Sequence, residues 1–193
     1  ASRLRKRLLL WPVLLLLFAA GAGASPVWPE NTAGQLQLKQ YMEGVNTFLM
    51  EQGEQPVNSI FEAYSSFVVF GITDQPDAQI PEGTEVTVKL YKDSMNSLEL
   101  RVSDLSRFPR IAGAFIRGMF PDSMTAEEAM ATPQAKAEKA QAAPDNSFED
   151  SVEELNGTQP VVYYAYYPNQ HRDGVNWIQM TIVFPLAGTW DGS

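Results

Sequence analysis

The chain has 193 residues, 14 basic against 23 acidic, a formal net charge of −9, one histidine and no cysteine. Those counts exclude thiol catalysis, iron–sulfur ligation, Cys–zinc sites and any histidine-rich metal centre. An acidic surface repels phosphate backbones and anionic lipid, which argues against nucleic acid or a lipid surface as a partner.

Residues 1–24 have the order of a secretory signal peptide. Arg3, Arg5, Lys6 and Arg7 form a basic cluster, an apolar run follows from Leu8, and Ala22-Gly23-Ala24 supplies a small-x-small end ahead of Ser25. The stretch from Leu8 to Ala24 has 17 residues and is interrupted by Pro12. A spanning helix wants about 20 apolar residues, whereas a cleaved apolar segment needs only about 7–15. The expectation is cleavage and export, to the periplasm or the exterior. The alternative is an uncleaved anchor held by the positive-inside bias, which would make the protein a membrane-tethered envelope subunit. Removing residues 1–24 leaves 169 residues with 10 basic against 23 acidic, a formal net charge of −13. That length suits one domain with its own core. With no cysteine, packing alone must hold it together even where disulfides are permitted.

Residues 25–35 read as an extended leader with Pro26 and Pro29, and residues 36–193 as a single α+β domain. Thr32-Ala33-Gly34-Gln35 has the form of a capping box opening a helix to about Glu51. Leu38, Tyr41, Met42, Val45, Phe48 and Leu49 make one apolar stripe along it, and Gly53 and Pro56 end it. A short helical segment is expected over Val57–Tyr64. The nearly unbroken apolar run Ser66–Thr73 reads as a central strand covered on both faces. Val86, Val88 and Leu90, then Leu98, Leu100 and Val102, alternate with polar residues, so these two runs form an antiparallel hairpin with one wet face. Lys89, Glu99 and Arg101 are placed to pair across that face, for a few tenths of a kcal/mol.

Pro109–Met119 predicts a second helix, burying Ile111, Ala112, Phe115, Ile116 and Met119. Thr125-Ala126-Glu127-Glu128 caps another. Thr132–Pro144 is Ala, Gln, Lys and Glu between two prolines with no large apolar stripe, so residues 132–146 read as an exposed, partly helical excursion. Asn146–Glu149 predicts a last short helix with Phe148, Val152 and Leu155 inward. Two closing strands follow, Val161–Tyr167 and Val175–Phe184, joined by the polar segment Pro168–Gly174. This order implies an α+β fold: a mainly antiparallel sheet of about five strands with helices packed on one face.

Two features are candidates for chemistry. His171, Arg172 and Asp173 cluster in the loop before the last strand, where a His–Asp pair suits general-base work. A hydrolase would need a nucleophile from elsewhere, and no Gly-x-Ser-x-Gly elbow exists; a solvated hairpin tip explains the same residues. Tyr163, Tyr164, Tyr166 and Tyr167, with Trp177 on the next strand, form an aromatic patch suited to peptide or sugar contacts. Alternation puts Tyr163 and Tyr167 on one face, Tyr164 and Tyr166 on the other. Asp145, Glu149, Asp150, Glu153 and Glu154 fit the solvated side of a helix better than a calcium loop. Asn156-Gly157-Thr158 is formally a glycosylation sequon and equally a turn. No glycine-rich phosphate loop, cofactor motif or metal-ligand spacing appears. The functional expectation is an exported, non-catalytic binding domain whose partner is a protein, peptide or glycan of the cell envelope, with a secreted hydrolase built on His171 as the alternative.

Overall fold

The computed structural model describes residues 33–73, 83–91, 94–152, 160–168 and 175–184. The expected signal and most of the expected leader, residues 74–82, the sequon with Leu155, and His171, Arg172 and Asp173 lie outside them.

The first helix, α1 (Ala33–Glu51), buries the whole expected stripe from Leu38 to Leu49. It stops in a Schellman arrangement: Gly53 N–H donates to Met50 O at 3.1 Å and Glu54 N–H to Leu49 O at 3.0 Å. Gly53 has φ +75°, a left-handed conformation that favours glycine. The next segment is not helical. It forms the edge strand β1 (Ser59–Ala63), paired antiparallel to β2 (Phe67–Ile72) with a register shift between Ile60 and Glu62. The bulge and the exposed Glu62 are both features that discourage edge-to-edge pairing.

Strand β2 is therefore second from an edge, not central. Val68, Phe70 and Ile72 are buried, whereas Phe67 and Val69 are only half-buried on the other face. The hairpin of β3 (Thr84–Tyr91) and β4 (Ser94–Val102) has the expected alternation, with Val86, Val88, Leu90, Leu98, Leu100 and Val102 in the core. Arg101 pairs with Glu99 along its own strand at 2.9 Å. Lys89 stands opposite Ser97 and is exposed.

Helix α2 (Phe108–Met119) is buried on nearly every side, adding Phe108, Gly113 and Ala114 to the expected face. Its entry is set by Asp104, whose carboxylate accepts from Ser106 N–H at 2.9 Å and Ser106 Oγ at 2.6 Å. These bonds, the Ser106 hydroxyl first, hold the Asp104 carboxyl below its ordinary range. The Thr125–Glu128 capping box is formed and opens α3 (Ala126–Ala142).

The expected excursion at 132–146 is thus ordered helix as far as Ala142. Ala129, Pro133, Ala137 and Ala140 make a buried face at three- and four-residue spacing, and α3 packs on α2. Small side chains bury little area each but let the two backbones approach closely. Lys136 pairs with Asp150 at 3.0 Å and the Lys139 ammonium lies 4.3 Å from the centre of the Phe148 ring, fastening α3 to the segment that follows. That segment is a two-residue strand, β5 (Phe148–Glu149), in place of the expected helix. It pairs with β6 (Val161–Tyr167), which pairs with β7 (Trp177–Val183).

The sheet has seven strands in the order β1-β2-β3-β4-β7-β6-β5, with every neighbouring pair antiparallel. β1 and β5 are the two beyond the expected five. The fold is α+β, with the helices on one face of the sheet.

Candidate functional site

Cross-strand register defines the face opposite the helices. One row reads Gly71, Glu85, Arg101, Gln179, Ala165 and Glu149; the next reads Val69, Thr87, Glu99, Thr181 and Tyr163. Tyr167 stands opposite Trp177 at the end of the same face. The middle of this face is polar and hydrogen-bonded. Arg101 Nε donates to Gln179 Oε1 at 3.2 Å, and Gln179 Nε2 donates to Thr181 Oγ1 at 3.3 Å. Gln179 and Thr181 are 8 % and 6 % exposed, so their polar atoms need these partners. The Tyr167 hydroxyl donates to Glu149 Oε1 at 2.9 Å. Burial, then this bond and the Glu149 charge, push the Tyr167 hydroxyl up from its ordinary range. Beside Tyr163, residues 149–152 and 161–163 line an open concavity of about 640 Å³.

The four tyrosines divide as alternation predicts, but only one pair faces outward. Tyr164 and Tyr166 are core residues. Tyr164 meets Phe108 of α2 edge-on, with ring centres 6.3 Å apart, and Lys136 reaches to 5.8 Å from its ring centre. Tyr166 packs on Phe148 at 5.8 Å and its hydroxyl donates to Pro144 O at 2.7 Å. Tyr163 and Tyr167 remain partly exposed on the outer face, and Trp177 shares that face but is 6 % exposed. The structure therefore brings Tyr163, Tyr167 and Trp177 together with Arg101, Glu99, Gln179 and Glu149. The last four were not among the site residues expected from the sequence. Arg101 and Glu99 are legible as the wet side of a strand paired with β3, but the pairing of β4 with β7, which sets Gln179 beside Arg101, is not.

A second cluster was hidden from the sequence altogether. Glu54, whose side chain is 6 % exposed, binds Arg107 Nη2 at 2.8 Å through one oxygen and Arg110 Nε at 2.9 Å through the other. Arg117 reaches Glu51 at 2.7 Å while its guanidinium lies 4.2 Å from the centre of the Phe48 ring. These contacts clamp the end of α1 to α2. Each carboxylate oxygen of Glu54 is already taken, so the cluster is structural.

Among the described residues no three His, Asp or Glu side chains gather where they could hold a metal ion, and no helix is long and apolar enough to cross a membrane. The fold and this face define the protein as an α+β domain with a polar, aromatic-edged sheet surface. No protein-family model matches the sequence, and neither a curated protein nor a solved structure matches the chain.

Proposed function

We propose that the protein is a non-catalytic binding domain that meets its partner through the sheet face opposite the helices. The supporting observation is the division of the tyrosines: Tyr164 and Tyr166 are used in the core, while Tyr163 and Tyr167 stay partly exposed beside hydrogen-bonding Arg101, Glu99 and Glu149. Aromatic rings next to donors and acceptors suit a protein, peptide or glycan surface. The export half of the proposal rests on the signal-like residues 1–24 and places the partner in the cell envelope or outside it.

A photo-crosslinking amino acid placed at Tyr163 tests the reading against one placed at Gln134, an exposed position on α3. In producing cells, position 163 should yield discrete adducts and position 134 none. Equal labelling from both, or none from 163, would refute the outer face as the contact surface. Amino-terminal sequencing of the recovered protein tests export separately, with a start near Ser25 expected.

A further inference from the structure

We draw no further inference here: the strongest candidate, the polar centre of the helix-free sheet face around Gln179 and Thr181, belongs to the site already described, and nothing in the structure shows what covers it.

Discussion

Three helical glycines, given the same substitution, should respond in opposite directions. Alanine in place of glycine inside a helix gains about 0.8–1.0 kcal/mol. At Gly44 of α1 an added Cβ meets nothing within 4 Å, so Gly44→Ala should gain about that full amount. At Gly118 of α2 the same atom would sit 2.7 Å from Val45 Cγ2 and 3.0 Å from Tyr41 Cε2. Neither neighbour yields easily. Val45 is a fully buried β-branched residue in a helix, restricted to few rotamers. Tyr41 is held by its hydroxyl, which donates to Phe115 O at 2.6 Å, and by an edge contact with Phe184. Overpacking costs about 1–3 kcal/mol, and Gly118 lies one residue from the helix end, where the propensity gain is small. Gly118→Ala should therefore lose about 1 kcal/mol net. Gly113→Ala falls between them, because its close contact is the flexible Met130 Cγ at 2.6 Å and the α3 backbone stands at an ordinary 3.5 Å. Urea unfolding at unchanged slope would show the Gly44 and Gly118 variants displaced in opposite directions, by about 0.3–1 M each. A Gly118→Ala midpoint that rises with that of Gly44→Ala would overturn the close α1–α2 contact from which the argument starts.

Glu54→Gln keeps the shape but leaves two guanidiniums without their carboxylate. Both arginine side chains are more than a third exposed, so the loss should be about 2–3 kcal/mol by urea unfolding, below that of a fully buried pair; a loss under about 0.5 kcal/mol would rank the clamp with surface ion pairs. Burial holds the Tyr41 hydroxyl far above its ordinary range, and burial with the Asp150 charge does the same for Tyr164. Because unfolded tyrosine ionises near pH 10 while these two stay protonated when folded, stability is complete below that pH and falls above it by about 1.4 kcal/mol per pH unit for each; Tyr41→Phe should shallow the fall, and an unchanged slope of unfolding midpoint against pH would contradict the assignment. Ala137 is 2 % exposed on the buried face of α3, so Ala137→Asp should cost several kcal/mol and open α3 to proteolysis, whereas Gln134→Lys on the exposed side, which keeps a favourable partner in Glu138, should stay within about 0.5 kcal/mol.

What the sequence revealed follows the size and length of the signals. The α1 stripe, the β3–β4 hairpin and α2 repeat large apolar residues over several turns or strand positions, and they form where periodicity puts them. β5 is two residues long, too short for any period, and β1 has its alternation broken by the register shift between Ile60 and Glu62; both pair with a neighbouring strand. α3 is legible at its capped start but not as one long packed helix, because its buried face is alanine and Pro133, side chains too small to make a large apolar stripe. The approach of the two helices is set partly by Gly113 of α2, which lets Met130 of α3 come close, a fact about another helix. Alternation correctly divided the tyrosines into two pairs. It could not say which pair would be covered, since that depends on where Phe108 and Lys136 arrive in space.

Helix α2 is where these long-range contacts meet. Gly118 admits α1, Gly113 admits α3, Arg107 and Arg110 hold Glu54 at the end of α1, and Phe108 reaches Tyr164 on β6. All of them lie on the helix side of the sheet. The outer face contributes side-chain hydrogen bonds, buried at Gln179 and Thr181 and partly exposed around them, whose individual worth is about 0.5–1.5 kcal/mol. Stability and the proposed contact surface thus fall on opposite faces, and the two can be separated by substitution. Tyr164→Ala, which empties a core position, should cost about 3–5 kcal/mol. Tyr163→Ala on the neighbouring position of the same strand should cost far less, because its ring stays partly in water on the face opposite the helices. Loss of the partner crosslinked from a probe at position 167 in a Tyr163→Ala protein that unfolds at an unchanged urea midpoint would then report on the surface alone.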